Sequence, residues 1–177
     1  MYLYREGNGL IQSATRIPGK TPLDIDFWSL TEEQKEFMTD VVNGVVIVDA
    51  ERRNAVLAER VAAARVAVVK KLKEIYDARL SENILAKGSQ FSCSPDDRQN
   101  IRDALNILNS GVDSMEWRNV AGETVTFSGI EFKSMVQGLF ARGHALNQAK
   151  HLHEIAVEAL SAVETINSYD ISTGWPP

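Results

Sequence analysis

From residue 50 to residue 81 the chain contains no proline or glycine, and its apolar side chains recur three and four positions apart at Leu57, Val61, Ala64, Val68, Leu72 and Ile75. That spacing predicts one long helix from about Ala50 to Ser81 with a seam of the coiled-coil kind. Val66 and Val69 fall off the seam, toward a second face, and between Val61 and Val69 only Arg65 is polar. A helix that is apolar nearly all round wants neighbours on more than one side. Two readings follow. In one, Leu57, Val61, Val66, Val68, Val69 and Leu72 form an association surface and the protein is a homo-oligomer. In the other, an ordinary core covers the seam and alanines 62, 63, 64 and 67 tolerate solvent.

A second long helix is predicted from Ser128-Gly129-Ile130-Glu131, which has the capping-box spacing, to about Asn167. Its apolar face reads Phe132, Met135, Val136, Leu139, Leu146, Leu152, Ile155, Ala159, Val163 and Ile166, with a bend or close contact expected at Gly138 and Gly143. Two shorter helices have equally local signals. Thr31-Glu32-Glu33-Gln34 is a capping box, and the pattern after it predicts a helix through Phe37, Met38, Val41 and Val42 to Asn43-Gly44. Ser94-Pro95-Asp96-Asp97 places a cap, a first-turn proline and two acids at the positive end of a helix running to Gly111.

Strands fill the intervals. Tyr2 to Ile17 reads as a hairpin turning at Gly7-Asn8-Gly9, followed by the connector Pro18-Gly19-Lys20-Thr21-Pro22. Val45-Val46-Ile47-Val48 is either a lone buried strand or one arm of a hairpin turning on Asn43-Gly44. One strand is expected from Ile84 through Phe91 and Ser92. A hairpin joins Met115–Val120 to Glu123–Phe127 at Ala121-Gly122, with alternation placing Trp117 in one apolar set and Val125 and Phe127 in another. The fold class is therefore α+β, predominantly helical: two long helices plus short helices and small hairpins. Two modules are expected, 1–82 and 83–177. The last residues, Thr173-Gly174-Trp175-Pro176-Pro177, form either a docked aromatic plug or a loose tail.

Composition narrows the function more than it suggests one. With 24 acidic and 19 basic residues the net charge is -5, against a broad nucleic-acid footprint. Arg60, Arg65, Lys70, Lys71, Lys73 and Arg79 are interleaved with Glu59, Glu74 and Asp77, as on a solvated helix face. No apolar run reaches the length of a membrane span, and the first residues lack the pattern of an export signal. The single cysteine, Cys93, reads as packing at a strand end. His144 and His151 share a helix face but stand roughly 10 Å apart, too far to chelate one metal, and His153 points elsewhere. All three read as polar helix surface. With no nucleophile elbow and no phosphate loop, no cofactor and no enzyme activity is expected. A hydrolase assembled from residues distant in sequence is the enzymatic alternative.

The order of motifs in the second half carries a resemblance. Gln90-Phe91-Ser92-Cys93, Asp96-Asp97-Arg98 with Ile101, Met115-Glu116-Trp117-Arg118, Glu123-Thr124-Val125-Thr126-Phe127, Ile130-Glu131-Phe132 and Thr173-Gly174-Trp175-Pro176 resemble a domain of unknown function of tailed phages and prophages. The resemblance covers about Ile84 to Pro177. It implies a non-enzymatic tail-fibre assembly chaperone or a fibre-associated protein, with a tail fibre or another tail protein as partner. The alternative is a permanent structural adapter of the tail or baseplate. It places the protein in the host cytoplasm during assembly or in the virion tail. Trp117, Phe127 and Trp175 would anchor the module.

Overall fold

The computed structural model describes residues 1–6, 9–13, 21–23, 25–42 and 45–177. The chain is α+β and predominantly helical, in two units, Met1–Ala62 and Ala63–Pro177. Every strand belongs to a two-stranded antiparallel pair among the described residues. The division falls inside the first long helix, upstream of the 82/83 boundary that sequence patterning suggests. Its cause is visible in the burial: Ala64, Val68 and Leu72, past the division, are buried residues of the second unit.

In the first unit, β1 (Tyr2–Glu6) pairs with β2 (Gly9–Ser13), as the hairpin reading expects. The turn residues Gly7 and Asn8, and most of the connector after it, lie outside the described residues. Leu3, Phe27 and Leu30 form a small core with Leu23, Ile25, Met38 and Val46 against it. The capping box at Thr31 is present in both directions, but helix α1 covers only Glu32–Phe37. Met38–Val42 is instead β3, paired with β4 (Val45–Val48). This corrects the helix expected to reach Asn43-Gly44 and supports the hairpin alternative; Asn43 and Gly44 themselves lie outside the described residues. The reason is tertiary. Val41 is buried as a strand residue, and the Phe37 carbonyl, which would accept a helical bond from Val41, takes the Asp49 amide at 2.9 Å instead.

Helix α2 runs Ala50–Leu80, within a residue of its expected span. After it, the single strand expected from Ile84 is two, β5 (Ile84–Ala86) and β6 (Ser89–Phe91). Lys87 and Gly88 between them take φ of 50° and 75°, the consecutive positive values that a tight hairpin turn requires. Helix α3 (Pro95–Asn109) begins on Ser94, whose hydroxyl accepts the Asp97 amide, and gives way to Gly111 at φ 106°.

Strands β7 (Ser114–Arg118) and β8 (Thr124–Ser128) pair Trp117 with Val125 and Met115 with Phe127. Residues directly opposite each other share a face. Trp117, Val125 and Phe127 thus belong to one apolar set, not two. That set joins Phe91, Cys93, Ile101, Leu108, Phe132 and Val136 in the main core. Phe127 makes edge contacts with Phe91 at 5.3 Å and with Phe132 at 5.8 Å between ring centroids.

Helix α4 covers Gly129–Ala159 and stops eight residues before the expected Asn167; a short α5 (Val163–Asn167) follows. Neither proline nor glycine marks the break. Leu160 is extended at φ -80°, ψ 136°, and its carbonyl accepts a 2.6 Å hydrogen bond from Arg65, so a long-range contact ends the helix. The buried stripe of α4 also departs from expectation. Past Leu146 it continues through Ala149, His153 and Val157, while Leu152, Ile155 and Ala159 face solvent. Leu152 lies six residues beyond Leu146, about 240° round the helix, so hydrophobicity alone pointed off the seam.

Candidate interaction surface and C-terminal clasp

α2 and α4 run side by side in opposite directions within the second unit. Arg65 bonds to Leu160, Lys150 lies over the Tyr76 ring at 5.7 Å, and Arg142 reaches the carbonyls of Arg79 and Glu82. This pairing sorts the six residues proposed as an association surface. Val68 and Leu72 are buried, Leu72 completely, and cannot meet a partner. Val61 is half-buried. Leu57 and Val69 are each 37% exposed and Val66 is 70% exposed. What remains open in the second unit is the off-seam pair Val66 and Val69.

Arg65 sits among them with incomplete pairing. One terminal nitrogen donates to Leu160, but its Nε is buried with no acceptor among the described residues. Leaving a buried donor unsatisfied costs on the order of 1–3 kcal/mol, more for a charged group. The helix therefore presents two exposed valines, while the unpaired Nε of Arg65 beside them is sealed from solvent.

The three expected anchors all pack in the second unit. Trp117 and Phe127 belong to the main core, with Trp117 tilted on Phe132 at 5.6 Å. Trp175 belongs to a separate clasp at the end of the chain. After α5, whose Ile166 is fully buried, the backbone returns to α4 at His153. The His153 ring lies 5.3 Å from Trp175 at an interplanar angle of 32° and meets Tyr169 edge-on at 5.7 Å. Its Nε2 is 2.9 Å from the Thr173 carbonyl and its Nδ1 2.9 Å from the Tyr169 hydroxyl.

A carbonyl can only accept, so Nε2 carries the proton and donates to Thr173, while the tyrosine hydroxyl, able to donate or accept, pairs with Nδ1. Gly174, at φ 78°, lies so close that a Cβ there would come within 3.5 Å of the imidazole. Trp175 Nε1 donates to Ile171 at 2.8 Å, and Arg79 covers the indole face at 5.9 Å. The terminal segment is thus a docked plug. The reading of all three histidines as surface is corrected for His153, which is 8% exposed; His144 and His151 are exposed. An aromatic, a glycine and a tyrosine downstream of one helical histidine are a pattern that only the chain reversal brings together.

Nucleophilic chemistry has little to build on. Cys93 is fully buried, and burial pushes its thiol above the usual range, which disfavours the reactive thiolate. Among the described residues no group of three or more histidines, cysteines or carboxylates converges. The larger groove of the second unit, about 820 Å³, runs between β5 and α4, and its charges are matched: Lys87 with Glu131, Arg142 with Glu82. The Ser128 amide, the Lys87 ammonium and the Ser128 hydroxyl hold Glu131 down at about 2. This carboxylate is a structural acceptor, fixed in its charged form.

The domain of unknown function DUF4376 matches residues 49–173, more than half of the chain. The protein belongs to the DUF4376 family. The match takes in α2 as well as everything from β5 to the clasp, so it begins well before Ile84, where the phage-domain resemblance starts. No curated protein and no solved structure matches the chain. Among the described residues no helix is long and apolar enough to cross a membrane.

Proposed function

We propose that this DUF4376 protein acts by binding another protein during assembly of a phage tail fibre, as an assembly chaperone or as a fibre-associated component, and that it is not an enzyme. The observation that carries the binding half is the open face of α2. Val66 and Val69 are exposed on the side of α2 that the buried seam does not use, so a partner offering apolar side chains gains by covering them. The fibre half rests on the resemblance of residues 84–177 to a domain of tailed phages. Homo-oligomerisation through the same face belongs to this reading.

Co-expression with a tail-fibre gene of the same genome tests it. The expected result is that soluble, trimeric fibre accumulates only when this protein is present, and that Val66→Asp with Val69→Asp removes the effect while leaving the helical spectrum unchanged. A fibre equally soluble and trimeric without it, together with its absence from purified virions, would overturn the proposal. Mass spectrometry of the particles separates the two forms: a chaperone is absent from them and an adapter is present in fixed stoichiometry.

A further inference from the structure

The second unit has a smaller cavity whose charges, unlike those of the large groove, are not matched. It has a volume of about 230 Å³ and lies among α2, α3 and α4. Each helix contributes a pair of side chains one turn apart: Tyr76 and Leu80 from α2, Arg98 and Arg102 from α3, Phe140 and His144 from α4. Gly143 lies between the last pair, and a Cβ there would touch Leu80 at 3.6 Å. Three nitrogen bases line the cavity and no carboxylate does. In a chain of net charge -5 this runs against the overall balance.

Acids next in sequence to the lining residues have partners of their own. Asp77 pairs with Lys73, and Asp103 accepts from Gln99. Arg98 is locked in place by donating to the carbonyls of Leu80 and Cys93, both at 3.1 Å, whereas Arg102 and His144 are exposed and have no bonding partner among the described residues. The remaining walls are the aromatic rings of Tyr76 and Phe140, the latter 52% exposed, over a floor of Ile101 and Leu139.

We propose that this cavity binds a carboxylate carried on an aromatic or branched apolar group. The ring would lie between Tyr76 and Phe140, and the carboxylate would meet Arg102, whose planar donors match its geometry, with His144 beside it. The volume lies below the roughly 300–1,000 Å³ of sites for drug-sized molecules, which limits the ligand to one ring and a short acidic arm. The same group occurs as a free aryl-alkanoic acid and as the last residue of a polypeptide ending in phenylalanine. The proposal stands independently of the fibre-assembly reading.

Amide chemical shifts of the full chain, titrated with 3-phenylpropionate, its neutral amide and acetyl-glycyl-glycyl-phenylalanine, test it. The acid is expected to shift Tyr76, Leu80, Phe140 and His144 and to saturate in the millimolar range that ~11 non-hydrogen atoms can sustain. The neutral amide should bind about tenfold more weakly or worse, the loss of one charge-assisted contact. Arg102→Glu should weaken the acid by about tenfold. Lys133→Glu, an equal change of net charge at an exposed site outside the cavity, should leave it unchanged. Arg102 is on the surface, and matching helical spectra verify that the variant folds. A peptide that binds more tightly than the free acid identifies a chain end as the ligand, and one that binds no better identifies a small acid. Equal affinity for acid and amide, equal effects of the two substitutions, or no shift at the cavity residues overturns the proposal.

Discussion

Replacing His153 by leucine keeps an apolar group on the α4 seam and removes everything polar that holds the clasp. Two hydrogen bonds disappear, to Tyr169 and Thr173, each worth about 1 kcal/mol net. The contact with the Trp175 ring, of order 1 kcal/mol for an aromatic pair, is weakened as well. The total is about 3 kcal/mol, reduced somewhat where the Thr173 carbonyl, on an exposed residue, regains water. With a urea slope of ~2 kcal/mol per molar, the unfolding midpoint of the second unit should fall by ~1–1.5 M. Hydrogen exchange separates a clasp from generic packing. The amides of residues 169–175 should lose protection even in conditions where α3 and the β7–β8 hairpin stay protected, because the lost contacts are local to the plug. The reasoning fails if the midpoint moves by less than ~0.3 M, since no two-bond anchor could be so cheap. It fails equally if stability drops while the terminal amides keep their protection, because His153 would then serve as core filling only.

Further tests follow from the burial and charge pattern. Leu72→Ala should cost ~2–5 kcal/mol in chemical denaturation, as expected for a fully buried leucine, whereas Val66→Asp, at a 70% exposed site, should cost little; equal costs would refute the division of α2 into a buried seam and an open face. Phe127→Ala should cost ~3–5 kcal/mol because it empties the centre of an aromatic cluster, and a loss below about 1 kcal/mol would show that the cluster is not the core of the unit. Glu131 is depressed from 4.5 to about 2, so its stabilising effect is complete above pH 4.5 and is lost as the pH falls toward 2. Stability curves of Glu131→Gln and the parent should therefore converge on acidification, and a pH-independent gap would refute the assignment. Cys93 should react with a thiol reagent only at the rate of unfolding, and prompt modification of the native protein would contradict its burial.

The elements that could be read from sequence are those whose signals are local. Both capping boxes, at Thr31 and Ser128, form as their spacing demands, and the glycine- and proline-free stretch after Asp49 becomes one helix of 31 residues. Misreadings cluster where a distant contact decides. The Thr31 helix ends at Phe37 because its next residues pair with β4, and α4 ends at Ala159 because Arg65 takes the Leu160 carbonyl. The same logic separates the candidate sites. Apolar periodicity put Val68 on the seam of α2 and Val66 off it, but could not tell whether the off-seam face is covered too, since what packs on α2 is set by residues some ninety positions away. Amino-acid type misled in the opposite direction at His153. A histidine has no hydrophobic signature, so it reads as surface until the chain reversal after Ile166 supplies a hydrogen-bond partner for each ring nitrogen. Arg102 and His144 are the converse case. His144 reads as ordinary surface, and the structure leaves both residues exposed, but it brings them to the rim of one aromatic cavity that no carboxylate lines. Polar residues that the fold satisfies, as at His153, hold it together. Those left exposed at a cavity that no carboxylate lines, as Arg102 is, are where the proposed ligand would bind.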